Sequence, residues 1–141
     1  MKDIAASIRA IYSALLGGLS YGGVNVPFYD AEPLVSTPEA YVALLSITQI
    51  PTNNDQHFVS DAIVTLDVVT KANMVIDRNA VDNISNQVLE ALLPTAYQDQ
   101  NDGVFQVMVR DASSPGYLRS QIGSVQTVRK ILNFNNHLVQ I

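Results

Sequence analysis

Strict alternation dominates the middle of the chain. In HFVSDAIVTLDVVTK, residues 57–71, one register reads Phe58, Ser60, Ala62, Val64, Leu66, Val68 and Thr70. The other reads His57, Val59, Asp61, Ile63, Thr65, Asp67, Val69 and Lys71. Period 2 with β-branched residues predicts a strand. Strands average about 5–6 residues, so this one is unusually long. YVALLSITQI (41–50) predicts a second strand, ended by Pro51, and PTNNDQ (51–56) carries strong turn signals. Together they predict an antiparallel hairpin, 41–50 against 57–71.

Helical spacing frames that hairpin. Ile4, Ile8, Ile11 and Leu15 predict a helix over 3–16, stopped by Gly17-Gly18. Val81, Ile84, Val88 and Leu92 predict a second helix over 78–93, closed by Pro94. VNVPFY (24–29) reads as a short strand with an irregular end at Pro27, and DAEPLVSTPEA as a Pro-punctuated loop. TAYQDQNDG reads as a polar loop. VFQVMVRD (104–111) is a strand, SSPGY (113–117) a turn, and 121–134 a weakly patterned last strand or pair of strands. The tail, 135–141, is expected to be extended and mobile. The fold class is α+β: a mainly antiparallel sheet with a long β-hairpin and two helices packed on one face, in a single domain spanning 1–141.

The two faces of the long strand differ in meaning. Phe58 to Val68 on the even face belong under the helices. On the odd face, Val59, Ile63 and Val69 are too apolar for plain solvent surface, and Asp61, Asp67 and Lys71 too charged for a core. A subunit interface or channel-facing surface accommodates that mixture, so Val59, Asp61, Ile63, Thr65, Asp67, Val69 and Lys71 are the candidate site residues. A strand of about 50 Å is also long enough to project beyond its own domain and pair or pack with a neighbour.

Composition narrows the classes. The chain has 141 residues, 48% hydrophobic and 15% charged, enough for one core. It holds no Cys, which removes disulfides and thiolate chemistry. Asp3 and Arg9 interrupt the apolar start, unlike a signal peptide, and no run approaches the roughly 18 apolar residues of a membrane span. A soluble protein that remains in the cytoplasm where it is made is expected. The net charge of −5 is uneven: residues 1–103 sum to −8 and residues 104–141 to +3. A bipolar subunit, acidic part against a neighbour's basic part, fits that split, as does scatter over one folded surface. Four cations over residues 104–141 are too thin for tight nucleic-acid binding.

The chemistry-bearing patterns are weak. GLSYG (18–22) matches the nucleophile elbow G-x-S-x-G, but Ser20 follows a helix and precedes a strand, the reverse of the context that motif needs. DQNDG (99–103) is one residue short of a calcium loop and has Arg110 where a bidentate Glu belongs. His57 and His137 lie eighty residues apart, a poor metal pair. Asp61 and Asp67 on one strand face sit about 20 Å apart, too far for paired carboxylate catalysis. No catalytic, metal or cofactor-binding residue is assigned, and an enzyme is not expected.

The element order, with the N-V-P-x-Y-D stretch (Asn25 to Asp30) and the P-x-x-Y-V stretch (Pro38 to Val42), resembles the tail-completion or tail-terminator proteins of long-tailed bacteriophages and phage-like particles. That resemblance covers nearly the whole chain. It implies an α+β subunit of a homo-oligomeric ring, commonly a hexamer, between head connector and tail. Such a ring caps the tail tube, docks the head and passes DNA through its lumen, without a cofactor. Its partners would be tail-tube and head-connector or neck proteins, and its place the virion, assembled in the host cytoplasm. Nearby alternatives are an adaptor, stopper or head-completion ring. A small cytoplasmic binding module unrelated to virions has the same composition.

Overall fold

The structure is a computed structural model that describes residues 4–31, 40–54, 57–72, 78–94, 97, 100–122 and 125–140. Helix α1 spans Ile4–Leu15 and turns Ile4, Ile8, Ile11 and Tyr12 inward. Two short strands follow, β1 (Ser20–Tyr21) and β2 (Val24–Asn25), joined through Gly22 and Gly23 at φ 61° and 79°. A two-residue hairpin of this type needs positive φ at both central positions, which glycine supplies freely.

Pro27 divides the strand expected at 24–29. Beyond it, β3 (Phe28–Tyr29) turns to run parallel to β4 (Ala40–Asn54). Pro27 has no N–H to donate, but its carbonyl accepts from the Val42 N–H at 3.0 Å. Most of the Pro-punctuated loop, 32–39, lies outside the described residues, as does Pro38 of the P-x-x-Y-V stretch.

The long hairpin forms as expected, and is longer. β4 pairs antiparallel with β5 (His57–Ala72), from Ala40 opposite Thr70 to Asn54 opposite His57. The strand expected to stop before Pro51 continues through it, with Pro51 opposite Ser60. β3 flanks β4 only at Val42 and Ala43, so Pro51 sits on an edge, where a missing N–H is tolerated. The register shifts between Leu44 and Ser46, leaving Leu45 as an exposed bulge residue.

Helix α2 (Arg78–Leu92) buries Val81, Ile84, Val88 and Leu92 completely. The largest departures come after it. β6 (Phe105–Ile122) does not turn at SSPGY but runs through it, absorbing the extra residues as a register shift between Ser113 and Gly116. β6 is an edge strand, which accommodates both a bulge and a proline. β7 (Val125–Gln140) takes in residues 135–140, expected as a mobile tail. They are extended, but paired on both sides: Asn136 stands opposite Ala62 of β5 and Arg110 of β6.

The main sheet has the order β3-β4-β5-β7-β6, parallel only at β3–β4. Both helices cover one face. Ile8, Tyr12, Ile84, Val88, Val64, Leu66, Leu132, Phe134 and Leu138 belong to one buried cluster. The even face of β5 enters it through Ala62, Val64, Leu66 and Val68, as expected. Phe134 meets Tyr12 edge to face, ring centroids 6.3 Å apart.

Candidate interaction face and buried polar cluster

Among the described residues, the other face of the sheet carries no helix. There the seven candidate residues of β5 line up against β7, with Asp61 opposite His137, Ile63 opposite Asn135, Thr65 opposite Asn133 and Asp67 opposite Ile131. They fall into two groups. Near the C-terminal end of β5 the chain covers its own surface. Val69 is 1% exposed and packs with Tyr41, Ala43 and Tyr29. Tyr29 and Tyr41 meet edge to face at 5.8 Å, and the Lys71 ammonium stands 5.7 Å over the Tyr41 ring. Asp67, also 1% exposed, accepts from Arg129 Nε at 2.9 Å and Nη2 at 2.5 Å. Val69 and Asp67 therefore contribute to the fold of the subunit itself.

The middle of the strand is open. Ile63 is 38% exposed, a large apolar side chain in a polar frame. Thr65 donates to Asn133 Oδ1 at 2.9 Å, and Asp61 lies 2.6 Å from His137 Nδ1. Val59 is half-buried at the far end. Beside Ile63 a shallow depression of about 360 Å³ is lined by Asp111 and Ser113 of β6 and Asn133 and Asn135 of β7. These four residues were not singled out in the sequence. The signal was present as a second alternation, Asn133, Asn135, His137, but it is hidden where NFNNH sets a polar residue on both faces.

A second cluster lies inside, where α1, α2, β6 and β7 meet. Arg110 is 3% exposed. Its Nε donates to Asn136 Oδ1 at 2.5 Å, and its Nη1 donates to the Leu92 carbonyl at 2.5 Å and to Gln100 Oε1. The guanidinium stacks over Tyr12 at 4.9 Å and Tyr97 at 6.0 Å. Among the described residues no carboxylate takes part. The cation sits instead on the carbonyl end of α2, where the helix dipole favours positive charge. Burial lowers the Arg110 pKa, offset in part by the two tyrosines. Burial pushes the Tyr12 hydroxyl up to about 12, against the opposing pull of Arg110 and of its bond to Asn136. Asn136 completes the cluster by donating to the Ala62 and Phe134 carbonyls. This is a brace, closed to solvent.

The weaker motifs find structural places. Ser20 donates its N–H to Gln87 Oε1 at 3.1 Å, and its carbonyl accepts from Gln87 Nε2 at 2.6 Å, pinning the β1–β2 hairpin to α2. His137 is on the opposite face of the sheet, bonded to Asp61. Asp99 of DQNDG lies outside the described residues; of the rest, Asp102 Oδ1 accepts the N–H groups of Val104 and Phe105, both at 2.9 Å, and starts β6. Burial would raise the Asp102 carboxyl, but those bonds and one from Ser7 outweigh it and hold the pKa below the ordinary 3.8. Among the described residues no three His, Cys, Asp or Glu side chains converge as a metal site, and no helix is long and apolar enough to cross a membrane.

No family model matches the sequence, and no curated protein matches it. The fold has a solved counterpart. A chain of the virion of a native gene transfer agent particle is similar with a TM-score of 0.56 and 13% identity, over 97% of this chain and 99% of that one. At that identity the likeness is one of fold, and it runs the full length of both chains.

Proposed function

We propose that this protein is a structural, non-enzymatic virion component: a single-domain subunit of a ring, commonly a hexamer, at the head–tail junction of a phage-like particle. In the tail-terminator role the ring caps the tail tube, docks it to the head connector and lets DNA pass through its lumen. The observation that carries the proposal is the end-to-end fold likeness to a gene transfer agent virion chain. The open sheet face supports it. Asp61, Ile63 and Thr65 present a mixed apolar and polar surface of the kind subunits bury against one another.

The tail-tube protein of the same particle provides the test. Added while tubes polymerise, a terminator stops their growth and gives short, capped tubes. Tubes that lengthen at an unchanged rate contradict the terminator role. A ring that forms in the same mixture but binds only head connectors moves the protein to an adaptor or stopper position.

A further inference from the structure

The open sheet face supplies one half of a head-to-tail contact, and α1 has the character of the other half. Helix α2 presents Asn79, Asn83, Asn86 and Glu90 outward, an ordinary solvated face. α1 presents Ala6, Ala10, Ser13 and Ala14, with Arg9 as its one charged residue. A solvated helix normally carries charge and long polar side chains on its outer face. A face of small residues instead lets a flat surface approach closely, with Arg9 standing above it.

The depression beside Ile63, with Asp111 in its lining, is the counterpart. On the open face, Asp67 is paired with Arg129, and Asp61 is hydrogen-bonded to His137. Asp111, at the rim of the depression, has no ion pair among the described residues, and neither has Arg9. Ser113, Asn133 and Asn135 add neutral hydrogen-bonding groups, and Ile63 gives an apolar floor for the aliphatic stem of an arginine. The depression and the outer side of α1 lie on opposite faces of the subunit. A contact between them is heterologous, so copies add head to tail, the requirement for a ring.

We infer that the Ile63–Asp111 depression of one copy receives the outer face of α1 of the next, with Arg9 paired to Asp111 across the interface. This rests on the ring reading above and names its two contacting surfaces. Charge reversal tests it. Arg9→Asp and Asp111→Arg are both at exposed positions, and circular dichroism checks that each variant folds. Each single reversal is expected to weaken self-association about tenfold or more, measured by mass in solution and by ring counts in micrographs with tail tubes present. The double reversal is expected to restore it. Rings that form equally well in both single variants, or a double variant no better than either, overturn the contact and leave the ring standing. A wild-type chain that never associates overturns both.

Discussion

Asp67 on β5 and Arg129 on β7 form a two-pronged pair, with Arg129 Nε and Nη2 both on Asp67 Oδ2 at 2.9 and 2.5 Å. The carboxylate is 1% exposed, and the guanidinium side chain is 38% exposed. The acid is therefore the dependent partner. Arg129→Ala leaves a buried carboxylate without its cation and is expected to cost about 2 kcal/mol in urea unfolding. Adding Asp67→Asn to that variant should recover part of the loss, because the orphaned charge goes with it.

Arg110 braces four elements through Leu92, Gln100, Asn136 and Tyr12. Arg110→Ala should cost about 3 kcal/mol, since Leu92, Gln100 and Asn136 lose a shared buried donor. Arg110→Lys should rescue little, because an ammonium cannot hold the forked geometry and stack on Tyr12 together. The check is chemical denaturation of the three proteins side by side.

Tyr12 gives the alkaline signature of the same cluster. Its folded pKa is pushed up to about 12 from an ordinary 10.0. A group raised in the fold contributes stability that is full below its unfolded value and lost as pH climbs through the folded one. Stability is therefore expected to fall between about pH 10 and pH 12. Tyr12→Phe should weaken that fall at a constant cost of about 1 kcal/mol for the lost bond to Asn136. A stability profile as steep in the variant as in the parent contradicts this assignment.

Asp102 gives the acid signature. Its carboxyl is held below 3.8, so its contribution is present above that value and lost as pH falls through the lower folded one. Asp102→Ala should destabilise by about 1 kcal/mol at neutral pH, through the freed Val104 and Phe105 N–H groups. The difference between parent and variant should shrink in strong acid. Gly103, at φ 84°, should resist any side chain, with Gly103→Ala costing about 1 kcal/mol in the same assay.

Ile63→Lys separates folding from assembly. Ile63 is exposed on the helix-free face, so the monomer should keep its unfolding midpoint within about 0.5 kcal/mol. The same change should abolish ring formation by burying a charge in the proposed interface. If it unfolds the protein instead, this part of the face belongs to the core.

The helices and β5 were legible because one pattern held throughout each. Val81, Ile84, Val88 and Leu92 never break helical spacing, and Ala62 to Val68 never break alternation. The last two strands were legible only in part, at 104–111 and 121–134, for identifiable reasons. SSPGY has the composition of a turn, yet a bulge on an edge strand accommodates it. Asn136 occupies a fully buried strand position because Tyr12 and Arg110 need its carboxamide, so a polar residue interrupts the apolar alternation that marks β7. The division of the candidate face was hidden for a similar reason. Only the partners of Asp67 and Val69, distant in sequence, reveal that those two are satisfied within the subunit while Ile63 is not covered.

The most direct measurement of the central claim is electron microscopy of the purified chain with the tail tubes and head connectors of its own particle. A ring of copies seated between tube and connector is the expected result. A chain that stays monomeric at high concentration, and leaves both tube ends and connectors bare, contradicts it.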